Sequence, residues 1–410
     1  MPAPGRISRG LTLISLCVGL SILYQVYAYD FNEGTISGGE IQRFALKAIA
    51  AVAFFVSVRS YLSIRVLSLN LFLKIPLFFI AISILAMAPF LTSDYAQSLN
   101  LIFYLPLLLI DWNRPGAAEL YRRTWKCIAW IVWIQLVLDP LFKARFLVTW
   151  KNGAVIGGMG NPNVFGIYLI AAGLASAMLL NSRLRYVSTI LFLATVLTGS
   201  LVSTLVGFSC ACIQAAFLMA RAPSRSLLIG ATVFVLLSAS TVALDFVSDS
   251  HPINHAMGKF LQTVDLLTGR GGEYSGSISG RLDYTRTGLE MVNESPLGLL
   301  TGHPDGVVMY DGDGMWIGML VTYGLPATLY FLLTNVVVIW RAMGSSSRDL
   351  LFSGCVVAVT MAFLVTNRIL DYWPVGLIYL LAFSYLTTRG VRRLKRAHEA
   401  VQAASLSAHI

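Results

Sequence analysis

The feature that most constrains the fold is a set of long apolar runs that recur along the whole chain. A helix needs roughly 17 to 25 apolar residues to cross a bilayer. The 410 residues are 56% hydrophobic and only 12% charged, and the mean hydropathy is +0.72, which excludes an ordinary soluble protein. The sequence therefore predicts an all-α polytopic membrane protein, a single integral membrane domain over residues 1–410 with about twelve transmembrane helices. The predicted spans are 11–28, 44–60, 75–92, 98–112, 125–142, 164–180, 186–200, 202–220, 226–246, 315–340, 351–366 and 374–388.

The distribution of charge decides how the basic character of the chain is interpreted. The formal net charge is +10, from 30 lysines and arginines against 20 acidic residues. If the N-terminus lies inside, most of the basic residues fall in the loops on that same side of the membrane. The positive-inside rule then places both termini, including the tail 397–410, in the cytoplasm. Because topology explains the excess charge, no nucleic-acid partner is expected.

Two of the loops predicted on the outer side are long, over residues 143–163 and 248–314. The second has roughly 65 residues, which is too many for a connector without structure of its own. Within it, "ISGRLDYTRTGLEMVNESPLG" predicts a helix from Arg281 to Asn293. Arg281, Thr285 and Gly288 would share one face with Tyr284 beside them, and Arg286 would point elsewhere.

Acidic residues precede an apolar run in "GHPDGVVMYDGDG", which contains His303, Asp311 and Asp313. They could supply a general base or an acidic cation site at the membrane surface, or Asp313 could simply cap the following helix. The stretch lacks the twelve-residue spacing of a calcium-binding EF-hand loop, which argues against a calcium site. The motif "YGLP" that follows predicts a separate helix from Asp313 to Tyr323 that stops at Gly324.

Basic residues on the outer side are candidates for binding phosphate. Arg281 and Arg286 are the most suggestive, because guanidinium groups can bind a phosphate through two hydrogen bonds. Anchoring to lipid headgroups is the alternative. Arg145 and Lys151 are further candidates, since both lie outside against the positive-inside bias.

Two small polar motifs lie next to predicted spans. "GMGNPNVFG" contains Asn161 and Asn163, which would bind substrate or simply form a tight turn that caps the next helix at Asn163. "LTGS" places Thr198 and Ser200 at an outer boundary, where hydroxyls commonly bond back to helix carbonyls. The chain has no nucleotide-binding or serine-hydrolase fingerprint in a suitable context.

Taken together, these motifs are familiar in their order. "GNPNVFG", "TGS", the long loop with "GRLDYTRTGLEMVNESPLG", and a polar residue eleven positions before "YGLP" resemble the O-antigen polymerase and O-antigen ligase superfamily (Wzy and WaaL). The resemblance in motifs covers about residues 157–326, and the rest of the chain resembles the family only in the number and orientation of its spans. No single motif is specific; the specificity lies in their combination.

The resemblance implies a GT-C-like membrane fold in the bacterial inner membrane, with an active site that faces the periplasm. The donor would be an undecaprenyl-pyrophosphate-linked oligosaccharide, transferred with inversion and without a cofactor. Carried over by position, Arg281 would bind the pyrophosphate, and Asp313 would act as the base on the acceptor hydroxyl. A chain-length regulator and a flippase would be its partners, besides membrane lipid.

Two departures from the ligases favour a polymerase. Ligases usually carry an arginine directly after "TGS", where this chain has Leu201, and a histidine where it has Asp313. A ligase that transfers the finished glycan to lipid A core, and a polysaccharide or lipid transporter, are the alternatives. The apolar runs contain few charged residues, which argues against transport.

Overall fold

The computed structural model describes residues 58–87, 104–146, 154–157, 161–180, 184–221, 258–262, 264–265, 276–294, 297–303, 314–364 and 375–389, with the single positions 52, 268 and 370 besides. In these ranges the chain is helical, without a strand, and one isolated antiparallel bridge joins Leu62 to Ile110. The prediction of an all-α protein is confirmed for this part. The longer helices are α1 (Leu71–Met87), α2 (Ala117–Phe146), α3 (Pro162–Met178), α4 (Leu184–Ala194), α5 (Leu201–Arg221), α6 (Gly276–Glu294), α7 (Met315–Met343), α8 (Arg348–Phe363) and α9 (Val375–Arg389).

Helix α3 lies at the centre of the bundle and contacts α2, α4, α5 and α8. Its sequence, "PNVFGIYLIAAGLASAM", is rich in glycine and alanine, which let neighbouring helices approach closely. A Cβ at Gly173 would lie 2.5 Å from the ring of Phe192 on α4. A Cβ at Gly166 would collide with the side chain of Ser203 on α5. The small residues of α3 therefore set the spacing of the core.

Two helices, Leu201–Leu218 and Met315–Met343, are long and apolar enough to cross a membrane. Shorter apolar helices cover Leu71–Ser83, Pro162–Met178, Val187–Thr198 and Val375–Arg389. The twelve predicted spans are thus not confirmed as a set, and the predicted spans 11–28 and 226–246 lie outside the described residues. Within the predicted span 98–112, residues Leu105–Leu109 form a 3₁₀ helix with Pro106 in its first turn. The backbone of Ile110, which follows this helix, is extended.

The surfaces of the long helices are apolar where they face away from the core. Ile213 of α5 is 71% exposed and Trp340 of α7 is 76% exposed. Trp130, Ile134 and Val137 follow one another along the exposed side of α2. Apolar surfaces of this kind are unusual for a soluble monomer and suit contact with lipid.

One end of the bundle, which we call the basic end, is held by a polar clamp. Arg122 of α2 binds both carboxylate oxygens of Asp349 on α8, at 2.9 and 3.0 Å. The hydroxyl of Tyr385 on α9 also donates to Asp349, at 3.2 Å, and Arg389 donates to that hydroxyl. Because Asp349 is buried, these bonds replace the water that its charge would otherwise need. The clamp fixes the first turns of α2 and α8 to the last turns of α9.

Candidate functional site

The helix predicted in the long outer loop is present and longer than expected. Helix α6 covers Gly276–Glu294, so it begins five residues before the predicted start and ends one residue after the predicted end. Its buried residues, Gly288 and Val292, lie on the side that packs against Val321 and its neighbours on α7. Position 281 lies two turns before Gly288 on the same helix.

The polar side chains of α6 divide between its two sides. Arg286 has a side chain that is 80% exposed, and its Nε donates to Glu290 at 2.9 Å. Tyr284 is 42% exposed, and Thr285 is half-buried. The predicted separation of Arg286 from the face of Thr285 and Gly288 matches this pattern of burial. Arg286 therefore makes its ion pair away from the contact with α7.

Helix α7 contains the break that "YGLP" predicts. Gly324 has φ 78° and ψ 173°, which separates the helix into two parts just before Pro326. This backbone conformation is essentially restricted to glycine. The break leaves carbonyl groups of the preceding turn free to accept other donors.

A short segment of the loop predicted over residues 248–314 fills this break. Helix Gly298–Thr301 ends at Gly302, whose φ is 81°, and the backbone of Gly302 lies directly against Thr322 and Tyr323. The amide of His303 donates to the carbonyl of Val321 at 2.6 Å. The segment 298–303 is therefore fixed to α7 through backbone atoms. We call this contact the glycine junction.

The glycine junction holds the imidazole of His303 beside α6. The side chain of His303 is 15% exposed, and its Nε2 lies 3.9 Å from a carboxylate oxygen of Glu294 at the end of α6. These two side-chain atoms are too far apart for a hydrogen bond with each other, so Glu294 is a neighbouring charge and not a group that fixes the imidazole. Of the candidates in "GHPDGVVMYDGDG", His303 is the one that lies within the described residues.

Several other predicted site residues are described only in part. Asp311, Asp313 and Lys151 lie outside the described residues, and for Arg145 and Arg281 only the helical backbone is described. The N-cap of α7 is Gly314, with no hydrogen bond from a side chain. The alternative in which Asp313 is the N-cap of this helix therefore does not match its observed start. The roles predicted for Asp313 and Arg281 stay predictions.

The motifs "GNPN" and "TGS" meet in the structure. The side chain of Asn161 accepts the amide of Asn163 at 2.8 Å and so caps α3. The alternative in which Asn163 is the cap is therefore wrong, because Pro162 already occupies the first turn of the helix. The hydroxyl of Ser200 donates to Oδ1 of Asn163, across 37 residues of sequence. The hydroxyl of Thr198 donates back to the carbonyl of Thr195 at 2.7 Å, which is the local bond expected from the sequence. We call the contact between Asn163 and Ser200 the amide junction.

A buried carboxylate next to the amide junction was not predicted as a site residue. Asp139, near the end of α2, is 7% exposed and accepts the amide of Gly157 at 3.1 Å. Gly157 has φ 52° and packs against the ring of Phe165 on α3. Two residues before Gly157, the amide of Val155 donates to the carbonyl of Leu197. A charged residue inside a predicted span was the available signal, since such residues are functional candidates by default.

Both junctions lie at the end of the bundle opposite the basic end. Helices α2 and α8 both begin at the clamp, so their other ends mark the opposite side. Asp139, near that end of α2, contacts the segment before α3. Leu364, after the end of α8, accepts the amide of Met315 at the start of α7.

An apolar groove of about 270 Å³ lies between α1 and α7 at the level of the break. Pro76 and Phe79 of α1 and Tyr323 and Pro326 of α7 line it. Tyr323 contacts the edge of Phe79, with 5.7 Å between ring centroids, and its backbone touches Gly302. The groove is therefore continuous with the glycine junction and has the apolar lining that a lipid chain requires.

The described residues contain no group of three or more histidine, cysteine, aspartate or glutamate side chains that could hold a metal ion. No protein-family model matches the sequence, and no curated protein matches it.

Proposed function

We propose that this chain is a membrane glycosyltransferase that polymerises undecaprenyl-pyrophosphate-linked repeat units into a surface polysaccharide. It would have about twelve spans in a GT-C-like arrangement in the bacterial inner membrane, with both termini cytoplasmic and the site facing the periplasm. The observation that carries the proposal is the amide junction, because it joins two of the four motifs that together carry the resemblance to the polymerase and ligase superfamily. The junction lies at the end of the bundle opposite the arginine-rich clamp, as an outer site requires.

The glycine junction and the groove support the same proposal. A lipid-linked donor needs an apolar surface for its isoprenoid chain and polar groups at the membrane boundary for its diphosphate and sugars. The groove between α1 and α7 offers the first beside His303, and α6, which carries Arg281, packs on the same part of α7. Arg281 would neutralise the departing diphosphate, and Asp313 would accept the proton of the acceptor hydroxyl, with Asp311 and His303 nearby in sequence.

The test is elongation by the purified protein in lipid nanodiscs with polyprenyl-diphosphate-linked repeat units. A ladder of products formed without lipid A core supports a polymerase. Product formed only with lipid A core makes the chain a ligase, and no product with either acceptor contradicts both enzymes. Arg281→Ala should abolish the ladder. The matched control is Arg123→Ala, which removes a partly exposed arginine paired with Glu119 four residues away on α2, a residue outside the candidate site.

A further inference from the structure

The hydroxyl of Ser200 is fixed in direction by two partners. It accepts the amide of Ser203 at 3.3 Å, three residues on, which is the bond of an N-capping serine at the start of α5. Its single proton is then donated to Oδ1 of Asn163. The backbone of Ser200 is held as well, because its amide donates to Thr198 at 3.3 Å and its carbonyl accepts the amide of Thr204 at 2.9 Å. The hydroxyl is therefore a rigid donor.

This bond decides which half of the Asn163 amide is left for another molecule. An asparagine side chain has an oxygen that accepts and an NH₂ group that donates two hydrogen bonds. Ser200 occupies the oxygen, and the NH₂ group has no partner among the residues that the structure describes. Asn163 is partly exposed, and Asn161 performs the capping of α3. Asn163 is thus free of a capping role and offers a donor with a fixed orientation.

We propose that Ser200 is a positioning residue that sets the Asn163 amide to donate its NH₂ group to an oxygen of the lipid-linked donor. The proposal rests on the proposed function, which supplies a ligand rich in such oxygens on its diphosphate and on its sugars. A donor held in place before binding loses less freedom than a rotating amide when the ligand arrives. The fixed orientation should therefore strengthen the binding of the lipid-linked donor and leave the rate of the chemical step little changed.

The variants separate positioning from helix capping. Ser200→Gly removes the hydroxyl, and glycine is nearly as good an N-cap as serine. Ser200→Thr keeps the hydroxyl. Asn163→Ala removes the NH₂ group and leaves the cap at Asn161 intact. Ser203→Ala is the matched control, because it removes a buried serine hydroxyl one turn further along α5 that has no hydrogen-bond partner among the described residues.

The measurement is the Kd of each purified variant for a fluorescent polyprenyl diphosphate without sugar and for the water-soluble glycan without diphosphate, alongside the KM and kcat of elongation. Ser200→Gly and Asn163→Ala should each weaken binding of one probe by about tenfold, the effect of one lost hydrogen bond, and raise KM with kcat within about twofold. The affected probe identifies the phosphate or the sugar as the source of the oxygen. Ser200→Thr and Ser203→Ala should bind as the parent protein does.

The double variant gives the sharpest result. If Ser200 acts through Asn163, Ser200→Gly combined with Asn163→Ala should bind no more weakly than Asn163→Ala alone. Additive losses, unchanged binding in Ser200→Gly, or failure of the parent protein to bind either probe would overturn the positioning role. Binding with the expected pattern but no elongation would contradict the proposed polymerase and leave the role of Ser200 intact.

Discussion

Replacement of Gly324 by alanine tests whether the glycine junction holds the segment 298–303 on α7. The native φ and ψ of Gly324 lie in a region that costs other residues about 1–3 kcal/mol. A Cβ there would also collide with the backbone carbonyl of Leu300, and backbone atoms cannot rotate away as a flexible side chain can. The segment 298–303 would have to move, with loss of the hydrogen bond from His303 to Val321, worth about 0.5–1.5 kcal/mol.

The sum is a destabilisation of about 2–4 kcal/mol. The entropy of unfolding is about 2.1 cal/mol/K per residue, so one kcal/mol shifts the melting temperature of a chain of 410 residues by roughly 1 °C. Gly324→Ala should therefore lower the melting temperature by about 2–5 °C. The assay is thermal unfolding in nanodiscs followed by tryptophan fluorescence, with hydrogen exchange of the His303 amide as a local measure. That amide should exchange faster in the variant.

Gly280→Ala is the control with the opposite expected sign. Gly280 lies inside α6, and a Cβ at this position would meet nothing within 4 Å. Alanine is favoured over glycine by about 1 kcal/mol in a helix, so this variant should unfold at the same or a higher temperature. If Gly324→Ala unfolds at the same temperature as Gly280→Ala and His303 exchanges no faster, the reasoning about the glycine junction is wrong.

Three further predictions concern charged residues. Asp313→Asn should reduce elongation by at least about a hundredfold at normal folded yield, because a general base contributes on the order of 10²- to 10⁴-fold; normal elongation would exclude Asp313 as the base. Asp139→Ala should speed hydrogen exchange of the Gly157 amide more than Asp139→Asn, since the amide oxygen of asparagine can still accept that bond. Equal exchange rates of the Gly157 amide in the two variants would contradict a role of Asp139 in holding that amide. Arg122→Ala should lower the melting temperature without changing KM, since the clamp lies at the opposite end from the site. The hydrogen bond to Asp349 raises the pKa of Arg122 above its ordinary value. A group whose pKa is raised by folding contributes its full stabilisation at any pH below its pKa in the unfolded chain. Arg122→Ala should therefore lower the melting temperature equally at neutral and at mildly alkaline pH.

The local features of the site could be predicted from sequence, because each depends on a few adjacent residues. The break at Gly324 follows from "YGLP". The cap of α3 lies at Asn161, two residues before the predicted Asn163, because a proline fits the first turn of a helix and an asparagine fits the position before it. The sequence predicts that α6 starts at Arg281, because the preceding glycines and serines favour a loop. In the structure the helix continues back to Gly276, since intrinsic propensity is a weak guide where other contacts decide.

The contacts that connect distant segments could not be predicted. Thr198 makes the local bond expected of it, but Ser200 donates to a residue 37 positions away. Arg122 and Asp349 are 227 residues apart, and each alone looks like an ordinary charge in a loop. Asp139 was visible only as a charge near the boundary of a span. A single sequence shows both residues of such a pair but does not show that they come into contact in the fold.

The bond that ties position 303 to α7 uses the backbone amide, which every residue except proline possesses. The side chain at this position can therefore change without loss of the anchor. Related chains could exchange the imidazole for a carboxylate or a hydroxyl and still present it at the same place beside α6. The strict requirement falls on Gly302 and Gly324, which carry no chemistry of their own, so evolution can alter the reactive group here independently of the frame that holds it.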